Sequence, residues 1–391
     1  MSLLREQYIR NDVERERLKK VRELAMRFAK RAPKHDEEGS FPFDNFEDLR
    51  QGGYNGLTVP KSHGGEEISL YELVQVQECL GWGDGSTALG FGWHLGQLLH
   101  LRTSGKWPEP LFEELCRDVI QEGSLLNVFG SEAGTGSPSR GGKPATTAER
   151  ITGGYRVNGR KTFSTLSPIL DRFVVTATVT PEDTVSEFLV KRSEAVKVIE
   201  TWNTMGMRST GSHDVVLEEV FVPEEARIVT GSGTDDGSGW LLHIPACYAG
   251  IAMAARDFAV EFAGTYSPNS LPGPIGEVPT VRQLIGQMEA ELRTARSVLY
   301  EAAAVWDRQP KLRPGLRPQL GLAKHVVTNR ALQVVDLAMR IVGGTSLSKA
   351  LPLERYARDI RAGLFNPPMD NMLLDQLAKE ALGEFGRSSA L

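Results

Sequence analysis

The sequence predicts an α+β protein with an N-terminal all-α domain, a small middle β domain built as a barrel or sheet, and a C-terminal four-helix bundle. Helical periodicity dominates both ends of the 391-residue chain, whereas short runs of strand character fill its middle. Residues 231–239, rich in Gly, Ser, Thr and Asp, have the composition of a connector. These patterns place the predicted domains at residues 1–122, 123–236 and 237–391.

The N-terminal helices are predicted from apolar spacing and from end signals. An amphipathic stripe near the start comprises Leu18, Val21, Leu24, Ala25 and Phe28. A short helix is expected over 45–51, and Ser69 begins another, with Glu72 placed to complete a capping box. Residues 88–101 carry no charged side chain and predict a buried helix, and Pro108 opens a last amphipathic helix.

The middle domain shows strand-like runs separated by turn residues. We expect strands over 125–129, 146–149, 155–157, 173–179, 187–190 and 215–222. Residues 130–137 form a turn rich in glycine and hydroxyl side chains, and 152–154 form a tight turn. Asn158-Gly159 then predicts a further hairpin, because type I′ turns need positive φ at both central residues. Pro223 stops the last strand, since proline cannot donate to the ladder.

The C-terminal domain is helical again. Helices are predicted over 240–262, 278–306, 320–342 and 372–382, which suggests an antiparallel bundle. Gly343 and Gly344 are well placed to end the third of these helices. Residues 268–279 contain four prolines and cannot be helical throughout, so they form an excursion between the first two helices.

Composition limits the class of protein. The net charge is −5 with both signs mixed, and this argues against a nucleic-acid partner. No apolar run reaches the length of a membrane span, and the first residues have no signal-peptide pattern. The three cysteines stand singly, without disulfide or metal spacing. We therefore expect a cytoplasmic protein with no membrane, nucleic-acid or metal partner.

Several short motifs occur in a fixed order along most of the chain. They are Ser-Glu-Ala-Gly-Thr-Gly-Ser at 131–137, the segments 157–165 and 205–223, Gly343-Gly344 and Arg358-Asp359. Together they resemble the acyl-CoA dehydrogenase superfamily, close to the branch that includes flavin-dependent monooxygenases. The resemblance implies the same all-α, β and four-helix order, and a bundle that makes a homodimer or homotetramer. It does not fix the reaction, because one fold supports many functions.

The resemblance also implies FAD between the β domain and the bundle. The residues expected beside the flavin ring are Phe129, Ser131, Phe163, Ser164 and Thr165. The alternative is that they are strand residues facing a core. Gly343 and Gly344, with Arg340 one turn earlier, are expected at the pyrophosphate of a neighbouring subunit's cofactor, or form a plain helix cap.

Two further expectations follow from the same resemblance. Ser137 is expected to contact the substrate. FMN stays open as the cofactor, because the family usually has an arginine and a Phe-Gly pair after the first bundle helix. This chain has residues 266–270, Tyr-Ser-Pro-Asn-Ser, at that place.

The reaction that the family favours is α,β-desaturation of an acyl-CoA thioester, with hydride transfer to flavin N5 and onward electron transfer to an acceptor. It needs a desolvated carboxylate base. Counting from Asp359 to the usual glutamate lands on Pro367, and the other family position holds Trp240 or Leu241. Asp370 lies near the first position and could serve as the base, or could cap the next helix.

The alternative reaction is that of a monooxygenase supplied with reduced flavin by a reductase, acting on an aromatic or sulfur compound. Such relatives lack the glutamate and often have a histidine in the buried fourth helix, where this chain has His94. That ring could act on a phenol or on flavin-bound oxygen, or could be a satisfied core histidine. A non-catalytic relative that keeps the fold for assembly is the third possibility.

Overall fold

A computed structural model describes residues 6–135, 142–229 and 234–388. The N-terminal domain consists of α1 (Asp12–Glu38), α2 (Phe43–Gln51), α3 (Leu70–Gly83), α4 (Gly85–Ser104) and α5 (Glu109–Glu122). The predicted capping box begins α3: Ser69 Oγ accepts the Glu72 N–H at 3.2 Å, and Glu72 Oε2 accepts the Ser69 N–H at 2.8 Å. The uncharged stretch 88–101 lies within α4 and is largely buried, as predicted, and Asp84 forms the N-cap of this helix.

The middle domain is a mixed sheet. Its strands are β1 (Leu126–Phe129), β2 (Thr147–Ile151), β3 (Gly154–Lys161), β4 (Arg172–Thr180), β5 (Thr184–Lys191), β6 (Val196–Ile199), β7 (Asp214–Pro223) and β8 (Arg227–Val229). The strand order is β6-β7-β3-β2-β4-β5-β8, and β1 and β2 both pair with β4 in parallel. We did not predict β6 and β8, because three or four residues are too few for alternation to show.

The predicted hairpin at Asn158-Gly159 is wrong. β3 continues through both residues, and its pairing with β7 shifts register between Val157 and Gly159. Opposite the shift, Glu219 adopts φ +54°, and Asn158 bonds it twice, through Nδ2 to Glu219 Oε1 at 2.6 Å and from the Glu219 N–H at 2.8 Å. The pair therefore forms a β-bulge, since tertiary pairing with β7 outweighs the local turn signal.

The C-terminal domain holds α6 (His243–Thr265), α7 (Pro279–Arg308), α8 (Arg317–Val342), α9 (Leu353–Asp359) and α10 (Asp370–Ser388). A 3₁₀ turn, Gly239–Leu242, precedes α6. Gly343 ends α8 with φ +75°, as its position predicts. The short helix α9 carries the Arg358-Asp359 motif but was not predicted as a helix.

Helices α3 and α4 join the bundle to the sheet. Gly81 of α3 lies so close to α6 that a Cβ would sit 2.4 Å from the Cys247 carbonyl oxygen. On α4, a Cβ at Gly90 would sit 2.6 Å from Leu166, which directly follows the predicted cofactor residues. Buried helices therefore pack directly against the segment that carries the predicted cofactor residues. Among the described helices, none is both long and apolar enough to cross a membrane.

Candidate functional site

The structure brings together the predicted cofactor residues of the β domain. The Ser131 carbonyl accepts the Thr162 N–H at 2.9 Å, which joins the segment after β1 to the segment after β3. Asn127 of β1 donates from Nδ2 to the Thr165 carbonyl at 3.0 Å. The Ser164 N–H donates to the His213 carbonyl at 3.1 Å, which adds the start of β7.

Phe163 is the open face of this cluster. Its side chain is 69% exposed and its φ is +53°, a conformation that an aromatic residue rarely adopts. The Phe163 ring contacts the Trp202 ring edge-to-face at a centroid distance of 5.7 Å. Met205, three positions after Trp202, also has an exposed side chain. An aromatic ring held outward in a strained conformation can pack on a planar ligand. Phe129, in contrast, has its ring buried against Phe173, so only its backbone can face a cofactor.

Two hydroxyl groups lie behind Phe163. Ser164 is fully buried, and its Oγ has no hydrogen-bond partner among the described residues. A buried hydroxyl without a partner is destabilising unless a ligand satisfies it. Thr165 Oγ1 lies 2.8 Å from Ser212 Oγ, which lies 2.7 Å from Thr210 Oγ1. An exposed ring, an unpartnered hydroxyl and a row of hydroxyls together suit a planar ligand with polar edges, as a flavin is.

The segment between β6 and β7 completes the site and was not among the predicted site residues. The Met207 N–H donates to Asp359 Oδ1 at 2.6 Å, and Trp202 Nε1 donates to the Met207 carbonyl at 3.0 Å. These bonds fix the segment that carries Thr210 and Ser212. The only sequence signal for it was the run of hydroxyl residues within the motif at 205–223.

His94 has both ring nitrogens engaged. Nε2 donates to the Asn55 carbonyl at 3.0 Å, and Nδ1 accepts the Leu126 N–H at 3.2 Å. The side chain is completely buried, and this burial lowers the pKa of His94 to about 4. The ring is therefore neutral and joins α4 to β1, and neither nitrogen is free to meet a substrate in this arrangement.

Asp370 begins α10 and is bound by three side chains. Lys324 Nζ lies 3.1 Å from Oδ1, and Asn329 Nδ2 and His325 Nδ1 each lie 2.9 Å from Oδ2. Burial would raise the pKa of Asp370, but the hydrogen bonds from Asn329 and Lys324 lower it below its ordinary value. A carboxylate held in an ion pair with a lowered pKa is a poor proton acceptor.

The 3₁₀ turn before α6 holds Trp240 at one of the places where the family can have a base. Trp240 packs edge-to-face on Trp93 at 5.8 Å and stacks on His243 at 6.0 Å. Burial lowers the pKa of His243 to about 4, and its Nδ1 donates to the Trp240 carbonyl at 2.8 Å. Among the described residues, no group of three His, Cys, Asp or Glu side chains could hold a metal ion.

The remaining predicted residues lie elsewhere. Arg340 forms an exposed ion pair with Asp336 and lines a groove of about 580 Å³ on α7, α8 and α9. Gly343 and Gly344 follow it, and a Cβ on either would meet open space. These residues belong to the bundle and not to the β-domain cluster. Ser137 lies outside the described residues.

Comparison with known proteins identifies the family. The chain is 48% identical over 377 residues to the putative acyl-CoA dehydrogenase YdbM of Bacillus subtilis, and the match covers 96% of this chain and 98% of that protein. Family models for the N-terminal, middle and C-terminal domains of acyl-CoA dehydrogenase match residues 11–106, 128–220 and 242–382. The chain belongs to the acyl-CoA dehydrogenase family. The predicted family and fold are thereby confirmed.

More distant relatives of the chain include proteins named for reactions other than acyl-CoA dehydrogenation. The chain is 26% identical to the amino sugar nitrososynthase DnmZ of Streptomyces peucetius, over 89% of this chain and 88% of that protein. The solved structure of KijD3 in complex with FMN and a dTDP-linked amino sugar superimposes with a TM-score of 0.84 at 25% identity, covering 95% of this chain and 94% of that chain. Membership places the protein among flavin-binding oxidoreductases.

Proposed function

We propose that this member of the family is a flavin-dependent monooxygenase that uses reduced flavin and O₂ on a small molecule with an amine, sulfur or aromatic group. The observation that supports the proposal concerns the carboxylate base that desaturation requires. The family places this base at one of two positions, and here one position holds Pro367 and the other holds Trp240 or Leu241. The nearby carboxylate of Asp370 is held by Lys324 and Asn329. Proton abstraction from an acyl thioester needs a free, desolvated carboxylate, whereas oxygen transfer does not.

The β-domain cluster is the proposed cofactor site. Ser131, Ser164 and Thr165 would hold the polar edge of the flavin ring, Phe129 would contribute its backbone, and Phe163 would cover one face. Arg340, Gly343 and Gly344 would meet the phosphate end of the cofactor of a neighbouring subunit in a homodimer or homotetramer. Ser137 is kept as a proposed substrate contact. FMN is favoured over FAD by the bound cofactor of KijD3.

Reduced flavin bound here supplies two electrons, so that one atom of O₂ enters the substrate and the other leaves as water. The residues of this chain would orient the ring. Phe163 and Trp202 offer an apolar surface for it, and the bond from the Met207 N–H to Asp359 fixes the segment that carries Thr210 and Ser212. A nitroso group carries an oxygen atom that an amine lacks, so the name of the nitrososynthase relative also supports oxygen transfer in this family.

Acyl-CoA desaturation is the second candidate, and the relative named a putative acyl-CoA dehydrogenase favours it. In that reaction Asp370 would have to leave Lys324 and Asn329 to reach a substrate. An electron acceptor would then replace the flavin reductase as the redox partner.

The test combines two spectroscopic experiments on protein reconstituted with FMN or FAD. Anaerobic titration with a panel of acyl-CoA thioesters should leave the oxidised flavin absorbance unchanged. Mixing the reduced flavoprotein with O₂ should produce a transient absorbance that differs from both the oxidised and the reduced flavin. Bleaching by any thioester would overturn the proposal, as would failure to bind either flavin.

Asp370→Asn separates the two reactions further. If desaturation is the reaction, this variant should slow flavin reduction by a thioester by about 100-fold. Under our proposal the transient formed with O₂ should be the same in the variant and the parent protein. Asp375→Asn is the matched control, because Asp375 is exposed and forms an ion pair with the exposed Lys379 on the same helix.

A further inference from the structure

A histidine and an aspartate form a hydrogen-bonded pair where α4 meets the segment that precedes α6. His100 lies on α4, and its Nδ1 is 2.8 Å from Asp236 Oδ2. Two neighbours hold Asp236 in place, because Thr103 Oγ1 donates to Oδ2 and the Ser238 N–H donates to Oδ1, each at 2.9 Å. The side chain of Asp236 is 4% exposed, whereas that of His100 is 23% exposed. The carboxylate is therefore the fixed, inner member of the pair.

The carboxylate determines which ring nitrogen of His100 carries a hydrogen. Burial would raise the pKa of Asp236, but the hydrogen bonds from His100 and from the Ser238 N–H lower it below its ordinary value. A carboxylate can only accept hydrogen bonds, so His100 Nδ1 must donate to it. In the neutral ring Nε2 then has a lone pair, and it forms no hydrogen bond with the residues that the structure describes. His100 therefore offers a hydrogen-bond acceptor on the side of its ring away from Asp236.

Two tryptophans extend this pair into an aromatic surface. The centroid of the His100 ring lies 5.6 Å from that of Trp240, and the Trp240 ring packs edge-to-face on Trp93 at 5.8 Å. The fully buried ring of His243 supports both tryptophans from within, at 5.0 Å from Trp93 and 6.0 Å from Trp240. His100, Trp93 and Trp240 are all partly exposed. Their rings therefore form one continuous surface that a ligand can reach.

The electrostatics of this surface suit a ligand that is positively charged and donates hydrogen bonds. The faces of tryptophan rings attract cations. His100 Nε2 accepts a hydrogen bond, and the Asp236 carboxylate behind the ring adds a negative charge. Arg317, near the same segment, is paired with Asp235, so its charge is offset. Among the described residues, no arginine or lysine lies over either tryptophan ring.

We infer that this surface binds a primary amine, whose ammonium group donates to His100 Nε2 and lies against the faces of Trp93 and Trp240. The inference rests on the proposed function and narrows its substrate class to amines. A Cβ at Gly90 of α4 would lie 2.6 Å from Leu166, beside the proposed cofactor residues. Trp93 follows Gly90 by three positions, about 4.5 Å along the helix. The amine surface therefore begins near the proposed cofactor site and extends along α4.

The test measures the binding of three probes to the full-length protein by isothermal titration calorimetry at about pH 8, where a free imidazole is neutral. Benzylamine, benzyl alcohol and benzoate share one ring and differ in charge and in the hydrogens that they can donate. Benzylamine should bind at least about tenfold more tightly than benzoate, the effect of one hydrogen bond to a charged group, and benzyl alcohol should fall between them. Benzylamine that does not bind, or binds no more tightly than benzoate, would overturn the inference.

Two substitutions of His100 separate amine binding from a merely structural role. Asparagine places an amide N–H where the ring has Nδ1, so His100→Asn keeps the bond to Asp236 and lacks an acceptor at the place of Nε2. Glutamine places its amide where the ring has Nε2, so His100→Gln keeps an acceptor there and loses the bond to Asp236. His100→Asn should bind benzylamine about tenfold more weakly with nearly unchanged stability to urea. His100→Gln should bind benzylamine more tightly than His100→Asn although it is less stable. Binding that falls in proportion to stability in both variants would contradict the inference.

His63→Asn is the matched control. The His63 ring lies against Phe112 of α5, at a centroid distance of 6.1 Å, and is not part of the amine surface. This variant should bind benzylamine as the parent protein does. The titrations are run with and without FMN, so that the two proposals fail separately. A parent protein that binds benzylamine but neither FMN nor FAD would overturn the proposed function, and one that binds flavin but not benzylamine would overturn the inference alone.

Discussion

At the scale of single residues, the side chain of Gln77 stands out. It is completely buried on α3, and neither its amide nitrogen nor its amide oxygen has a hydrogen-bond partner among the described residues. A Cβ added at Gly92 would lie 2.9 Å from Gln77 Oε1 and 2.5 Å from His243 Cδ2. The glycine therefore allows α4 to pack closely against both of these side chains. Burying an amide without partners is destabilising, and its apolar replacement is not.

We predict that Gln77→Met stabilises the protein. Methionine has a similar length and no polar group to desolvate, so the free energy of unfolding should rise by about 1–3 kcal/mol. Urea unfolding followed by circular dichroism measures the change. Gln75→Met is the control, since Gln75 donates to the Tyr8 carbonyl and to Glu14 and should lose stability on the same substitution. A less stable Gln77→Met variant would contradict the prediction.

At the scale of elements, a buried ion pair ties several strands together. Glu132 follows β1, and its Oε1 accepts Lys161 Nζ of β3 at 2.6 Å and Thr146 Oγ1 at 2.7 Å. Lys161 also donates to the Thr176 carbonyl of β4 at 2.6 Å. Burial would raise the pKa of Glu132, but the hydrogen bonds from Lys161 and Thr146 lower it to about 2.

We predict that Lys161→Met is strongly destabilising, because it leaves the Glu132 carboxylate buried without its cation. The loss should be about 3–5 kcal/mol near neutral pH, and a Glu132→Leu, Lys161→Met double variant should recover part of it. The contribution of Glu132 is fully present above the carboxyl pKa of the unfolded chain, about 4.3, and is lost as the pH falls towards 2. Urea unfolding of the single variant and the parent protein should therefore converge across that window. A constant difference down to the lowest pH would contradict this account.

At the scale of the whole molecule, three regions meet at the Arg358-Asp359 motif. Arg358 binds Asp36 at the end of α1 through two nitrogens, at 2.6 Å and 2.9 Å, and donates to the Met205 carbonyl at 2.8 Å. Asp359 accepts the Met207 N–H. The motif thus connects the N-terminal domain, the β domain and the bundle beside the proposed cofactor site.

We predict that this junction makes stability depend on pH. Burial raises the pKa of Asp359 to about 7, although the Met207 N–H and Arg355 lower it; Asp36 and Asp84 raise it by smaller amounts. Between about pH 4 and 7 the folded protein binds a proton that the unfolded chain does not, so stability should fall as the pH rises through that window. Asp359→Asn keeps an acceptor for Met207 and should raise the melting temperature at about pH 8, with little effect at about pH 4. Calorimetry of the variant and the parent protein at both pH values tests this, and a variant that melts below the parent protein at about pH 8 would contradict it.

Local signals in the sequence determined the elements and their order. The capping box at Ser69, the uncharged stretch 88–101 of α4 and the glycine at the end of α8 depend on neighbours within a few positions, so spacing alone predicts them. The ordered motifs likewise led to the family and to the segments that hold Ser131 and Thr165. Where a local signal competed with pairing to a distant strand, as at Asn158-Gly159, the sequence alone gave the wrong answer.

Only the tertiary structure decided what the chemical groups are bound to. His94 finds its partners 39 and 32 positions away, and Asp370 is held by Lys324, 46 positions before it. The contacts of Thr165 with Ser212 and of Ser212 with Thr210 depend in the same way on the packing of separate segments. Such contacts are set by packing of whole elements, which no spacing along the chain encodes. The sequence by itself therefore determined the family and the fold, and the packing decided which groups of the proposed site are free to act.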